Sequence, residues 1–122
     1  MIYYEDLSKK IIGAAIEVHK VLGNGFLEKV YENALLKELA ERNIDADNQV
    51  PIDVNYKSYS VGEYYADIVV ENKIILELKV CKNIEDIHKA QLLNYLKATG
   101  IKVGYLLNFG AEGKLDFKRM VY

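Results

Sequence analysis

The sequence predicts a mixed α/β fold in the order ααβββαββ, a mixed sheet flanked by helices. Three observations lead there. Apolar residues recur at helical spacing through residues 5–42. From Val50 to Val80 the period drops to two, in short segments divided by turns. A further helical segment then precedes a nearly continuous apolar run, Val103–Phe109, of the kind that marks a strand covered on both faces.

Leu7, Ile11, Ala14, Ala15, Val18, Val21 and Leu22 place a first helix over about 5–22. Gly23-Asn24-Gly25 ends it, as a C-cap glycine and turn do. Leu27, Val30, Tyr31, Ala34, Leu35 and Leu39 mark a second helix over about 26–42. Val50, Ile52, Val54 and Tyr56 alternate with polar residues as a strand, and Lys57-Ser58 is a turn. Tyr59–Val70 is the next strand, with a bulge expected near Gly62. Glu71-Asn72-Lys73 turns the chain, with Asn72 suited to the left-handed conformation. Ile74–Val80 is a short apolar strand, 85–99 a helix stopped by Gly100, and Leu115–Val121 the last strand. An antiparallel meander followed by a crossover helix makes the sheet mixed.

Composition narrows the function classes. A chain of 122 residues is the size of one domain, here expected over 1–122, and 51% hydrophobic residues argue against disorder. The one cysteine, Cys81, leaves no internal disulfide to form. No apolar run approaches the roughly 20 residues of a membrane helix and no signal peptide opens the chain, so a cytoplasmic location and no membrane partner are expected. Net charge is −2, unlike a general nucleic-acid coat. It is unevenly spread: residues 1–78 carry 8 Lys/Arg against 14 Asp/Glu, and residues 79–122 carry 8 against 4. The basic second part suits phosphates, and ordinary solvated lysines explain it as well. His19, His88 and Cys81 lack zinc-like spacing, and no Gly-rich phosphate loop is present.

Chemistry concentrates on the third strand. Ile75, Glu77 and Lys79 point to one face, and Ile74, Leu76 and Leu78 to the other. Charges on so apolar a strand need partners. Asp67 on the preceding strand is the nearest acid by topology. A two-residue hairpin would put Asp67 and Glu77 on opposite faces, whereas a three-residue loop brings them together, so the longer loop is predicted. Two readings fit the trio. Asp67 and Glu77 are hard oxygen ligands for Mg²⁺ or Mn²⁺, with Lys79 orienting a water and offsetting phosphate charge. Alternatively, Lys79 forms a buried salt bridge with one of the acids. Glu28 falls within the apolar sector of its helix, as Glu38 does, and also in the first turn, where the helix dipole favours an acid. Gln91 lies among apolar residues of the third helix, placed to contact phosphate, to brace Lys79, or to tie the helix to a nearby backbone group.

These residues resemble a known family. Gly25-Phe26-Leu27-Glu28-Lys29-Val30-Tyr31 fits the G-x-x-E-x-x-Y signature of the GxxExxY proteins, a compact branch of the PD-(D/E)XK phosphodiesterase superfamily. The likeness continues through IIGAAIEVHKVLGNG, QVPIDVNYK, GEYYADIVVENKIILELKV and HKAQLLNYLKATGIKVGYLLNFG. It implies a restriction-endonuclease-like domain. It implies that Asp67 is the motif aspartate, that Glu77-Leu78-Lys79 is the E-x-K, and that Glu28 is an added helix carboxylate at the metal site. Gln91 resembles the glutamine that many branches set beside the lysine. Gly25, Tyr31 and Tyr95 are signature positions without an assigned role. Relatives often carry proline at Asn24, glycine at Asn72 and a basic residue at Tyr65.

The resemblance implies a nuclease dependent on Mg²⁺ or Mn²⁺, with Asp67, Glu77 and Glu28 as ligands and nucleic acid as substrate, DNA ahead of RNA. A homodimer placing two sites on two strands, and a partner protein supplying targeting, are further expectations. The alternative is a non-catalytic nucleic-acid- or protein-binding module that keeps the nuclease fold.

Overall fold

The computed structural model describes residues 2–122. Helix α1 (Glu5–Leu22) and helix α2 (Glu28–Glu41) come first, then strands β1 (Ala46–Tyr56), β2 (Tyr59–Val70) and β3 (Ile74–Lys79), helix α3 (Asp86–Thr99), and strands β4 (Val103–Asn108) and β5 (Asp116–Val121). This is the predicted order. The strands form one sheet, β1-β2-β3-β4-β5, in which only the β3–β4 pair is parallel. A parallel neighbour needs a crossover, and α3 supplies it. None of the described helices is long and apolar enough to cross a membrane.

Helices α1 and α2 cover one face of the sheet. Ile11, Ala14, Ala15 and Val18 meet Tyr31, Leu35 and Leu39, and both sets pack on Ile68, Val70, Leu76 and Leu107. On the other face Leu92, Tyr95 and Leu96 of α3 pack on Ile52, Ala66, Val69, Ile75 and Leu106. Covered on both sides, Ile74–Leu78 and Val103–Asn108 are buried throughout, as their predominantly apolar sequence requires, and Glu77 and Asn108 are buried with them.

Local signals explain most element ends. Gly23 (φ 75°) caps α1 through its N–H to the His19 carbonyl. Gly100 (φ 77°) ends α3 in the left-handed conformation, and Glu85 and His88 form a reciprocal capping box at its start. The bulge expected near Gly62 lies beside it: Val54 pairs with Gly62 and Asn55 with Ser60, leaving Val61 extra.

Some bounds differ from the sequence reading. β1 begins at Ala46, before the alternating run that starts at Val50, because Ala46, Asp47 and Asn48 continue the pairing with β2. Apolar alternation cannot reveal that stretch, since Asp47, Asn48 and Gln49 are exposed. α2 begins at Glu28, after the exposed Phe26 and Leu27.

Candidate functional site

The loop between β2 and β3 decides which side chains can meet. Val70 pairs with Ile74, so Glu71, Asn72 and Lys73 form the predicted three-residue loop. Asn72 is left-handed (φ 56°), and Glu71 is as well (φ 51°). The Lys73 N–H donates to the Val70 carbonyl at 2.9 Å. Pairing continues through Val69–Ile75 and Ile68–Leu76, and the next step brings Asp67 opposite Glu77.

There side chains replace the ladder. The Asp67 N–H donates to Glu77 Oε2 at 2.7 Å, and the Leu78 N–H donates to Asp67 Oδ2 at 2.8 Å. Each carboxylate thus satisfies a backbone donor on the other's strand, which fixes both side chains. The β1 side is interrupted at the same level. Asn48 pairs with Ile68 and Val50 with Ala66, and Gln49 between them has φ 50°.

The electrostatics of this corner are unfavourable without a cation. Glu77 is 6% exposed and Asp67 half-buried. Burial, then the charge of Asp67, pushes the Glu77 carboxyl from its usual 4.5 to about 8. Burial also raises Asp67, with the nearby charge of Glu32 adding to it and the Leu78 N–H opposing it. Lys79, the last residue of β3, lowers both, but less than burial raises them. Among the described residues no ion pair within 4.0 Å involves Lys79, Asp67 or Glu77. The salt-bridge alternative is therefore not what these atoms form.

Such a donor set fits a hard divalent cation. Two carboxylates that repel one another in a desolvated corner gain from one, and Glu77 keeps an oxygen outside the hydrogen bond to Asp67. Among the described residues, however, no three His, Cys, Asp or Glu side chains are gathered closely enough to hold a metal by themselves. The pair alone suits Mg²⁺, which commonly takes one or two carboxylates and completes its shell with waters and substrate phosphate.

Glu28 lies on the exposed first turn of α2 and bears on Glu77 through its charge alone. Four residues on, and so on the same helical face, Glu32 is buried. Sequence reasoning passed over it. Lys29 donates to its Oε2 at 2.7 Å, Asn48 to the same oxygen at 3.3 Å, and Gln49 to its Oε1 at 2.7 Å. Burial alone would raise this carboxyl, and these three donors outweigh it and hold it below the usual range. Gln49 also stabilises the Asp67 carboxylate. A network from α2 through β1 thus reaches Asp67. The Glu28/Glu32 spacing in the sequence was the available signal.

The remaining expected residues divide by role. Tyr31 is fully buried and stacks on Phe109, ring centroids 4.8 Å apart. Its hydroxyl donates to the Gly23 carbonyl at 2.6 Å and accepts from the Phe26 N–H at 3.2 Å, so it fastens the loop that leads into Glu28. Gly25 within that loop has open space where a Cβ would stand. Gln91 donates to the Tyr95 hydroxyl at 3.0 Å, one turn along α3, and braces neither Lys79 nor a neighbouring backbone group. Burial and then the charge of Glu77 raise the Tyr95 hydroxyl, which puts this end of α3 within the field of the acid pair. Cys81 follows β3, and its backbone N–H and C=O both bond the buried Asn108 side chain, at 3.1 and 2.9 Å. That closes the ends of the two parallel strands, and its place there is structural.

A model of the PD-(D/E)XK nuclease superfamily matches residues 5–120. No curated protein matches the chain. Among solved structures, the chain is similar to the crystal structure of SSO0001, with a TM-score of 0.58 at 18% identity. That alignment covers 97% of this chain and 59% of the other, so the chain spans little more than half of its structural neighbour. At this identity the likeness concerns the fold.

Proposed function

The chain belongs to the PD-(D/E)XK nuclease superfamily, and from that premise we propose that it is a divalent-metal-dependent nuclease of the GxxExxY branch, cutting phosphodiester bonds at the Asp67/Glu77 corner. One observation carries this reading. The two carboxylates are locked by each other's strands at 2.7 and 2.8 Å, with no cation within ion-pair reach among the described residues. Structural ionic packing has no use for two acids whose ionised forms repel and which no ion pair offsets.

Asp67 and Glu77 are the residues that would hold Mg²⁺ or Mn²⁺. When bound, the ion supplies a Lewis acid at the phosphate and a water acidified toward neutral pH. Lys79, two residues on from Glu77 and in no ion pair among the described residues, orients the attacking water and offsets charge that develops on the phosphate oxygens. Glu28, on the exposed first turn of α2, is not gathered with this pair and would have to turn in toward it to serve as a third carboxylate. Gln91 acts through Tyr95, holding that ring against the acid corner. Nucleic acid is the substrate, with DNA ahead of RNA. A homodimer would set two such sites on two strands, and sedimentation at micromolar concentration tests it: a monomer there rejects it.

The lack of a ready three-carboxylate group among the described residues favours a second reading, a binding module that keeps the fold without the chemistry. One experiment separates the two. Mn²⁺ is titrated calorimetrically into wild type, Asp67→Asn, Glu77→Gln and Lys79→Ala, and each is assayed on pooled single- and double-stranded DNA and RNA. A nuclease loses metal binding in both carboxylate variants. Lys79→Ala keeps it while cleavage falls by about a hundredfold or more. Unchanged Mn²⁺ affinity in an Asp67→Asn/Glu77→Gln double variant rejects the metal site.

A further inference from the structure

Beside the acid corner, α3 and the β1–β2 hairpin enclose an open groove of about 710 Å³. Its size lies within the range of small-molecule sites, about 300–1,000 Å³. Tyr64 and Tyr95 line it together with Gln91, Asn94 and Asn55. The two tyrosine rings lie 5.7 Å apart and inclined at 45°. Tyr95 is 6% exposed and belongs to the floor, whereas Tyr64 is 50% exposed and open to an incoming group. Gln91 and Tyr95 are also the α3 residues nearest in chemistry to the site, since the Tyr95 hydroxyl accepts from Gln91 and feels the charge of Glu77.

The groove's polar groups indicate its occupant. Asp53 and Lys97 are its only formally charged lining residues, and they are of opposite sign. Asp53 accepts a 2.6 Å hydrogen bond from the Ser60 hydroxyl. No net positive charge is offered to a phosphate backbone. Asn55 and Asn94 are exposed, and among the described residues their side-chain amides take part in no hydrogen bond. Amides read the edges of bases, because each carries a donor and an acceptor side by side. An aromatic ring flanked by free amides and little net charge suits a flat heteroaromatic group. In a duplex the faces of such groups are stacked and their pairing edges occupied. In a single strand both are free.

We propose that the groove between α3 and the β1–β2 hairpin binds an unpaired nucleobase of the substrate strand, stacked on Tyr64 and read at its edge by Asn55 and Asn94. The substrate class is then single-stranded nucleic acid, or an unpaired end or gap. This deepens the nuclease reading and rests on it for the word substrate, but the groove itself can be tested without cleavage.

Binding of a short fluorescein-labelled DNA strand, an RNA strand of the same sequence and the corresponding DNA duplex is measured by anisotropy without divalent metal. Wild type, Tyr64→Ala, Tyr64→Phe and Asn94→Leu are compared, with circular dichroism and Mn²⁺ titration as controls on fold and metal site. Wild type binds the single strands more tightly than the duplex. Tyr64→Ala weakens single-strand binding on the order of tenfold, as loss of one base–aromatic stack does. It leaves duplex binding and Mn²⁺ affinity unchanged. Tyr64→Phe, which keeps the ring, retains binding, and Asn94→Leu weakens it. Equal binding of single strand and duplex, an equal loss on both in Tyr64→Ala, or no nucleic-acid binding at all overturns the proposal. Failure of the nuclease reading looks different. Tyr64-dependent single-strand binding without Mn²⁺ binding or cleavage leaves the groove standing and removes the chemistry. Metal-dependent cleavage blind to Tyr64 does the reverse.

Discussion

Glu77 bears the largest electrostatic load of any described residue, and this gives the metal-free protein a definite pH behaviour. Its carboxyl titrates near 8 in the folded chain and near its usual 4.5 when unfolded. Between those values the folded state holds a proton that the unfolded state has released. Stability therefore falls as pH rises from about 4.5 to about 8. Asp67 shifts in the same direction and adds to the slope. Glu77→Gln keeps an oxygen to accept the Asp67 N–H and removes the charge. Urea unfolding of the metal-free protein at pH 5 and pH 8 should show a marked loss for wild type and a much smaller one for Glu77→Gln. Tyr31 bears a load of a different kind. Tyr31→Phe keeps the stack on Phe109 and removes only the hydroxyl that joins Gly23 to Phe26, a loss of about 1 kcal/mol. Tyr31→Ala also empties a fully buried site and should cost about 3–5 kcal/mol in the same denaturation experiment.

At the scale of elements, the β2–β3 loop is the piece on which the site depends. A strand slipped by one residue turns every side chain to the other face. Deleting Asn72 shortens the loop to two residues and forces that choice on Asp67 or on its apolar neighbours. The deletion should abolish Mn²⁺ binding, measured calorimetrically. Asn72→Gly keeps the length and eases the positive φ of 56°, so it should bind Mn²⁺ as wild type does and be as stable or more so. Loop length was legible from the sequence because the parity of Asp67 and Glu77 admits only an odd loop if they are to meet. The left-handed Glu71 was not, since glutamate has no preference for that region. The early start of β1 escaped for a related reason. An edge strand whose outer residues are solvated shows no apolar alternation.

Across the whole molecule, the corner where α2, β1, β2 and β3 converge buries Glu77 and half-buries Asp67 with no ion pair to either among the described residues, and an ion binding there should return the energy as stability. Ligand that binds only the folded chain stabilises it by mass action. Millimolar Mn²⁺ should raise the thermal midpoint of wild type by several degrees and leave Asp67→Asn unmoved, as read by scanning calorimetry. The same scale tempers the charge asymmetry of the sequence. Part of the basic excess in residues 79–122 is engaged within the fold: Arg119 of β5 donates to Tyr105, Ser8 and the Tyr3 carbonyl at 2.7–3.2 Å, tying the sheet edge to α1. Net charge along the chain is therefore a poor guide to where phosphate would lie.

By itself the sequence determined the element order, the covered central strands, the helix stops at Gly23 and Gly100 and, once Asp67 and Glu77 are taken to meet, the odd length of the loop between them. All of these follow from periodicity, parity and local backbone preference, which act between near neighbours in the chain. Only the tertiary structure decided that Glu32, Asn48 and Gln49 form one network behind Asp67, and that Tyr64 and Asn94 border one groove. Those residues come together because helices on both faces of the sheet bring distant segments to one corner. No spacing in the chain encodes that convergence.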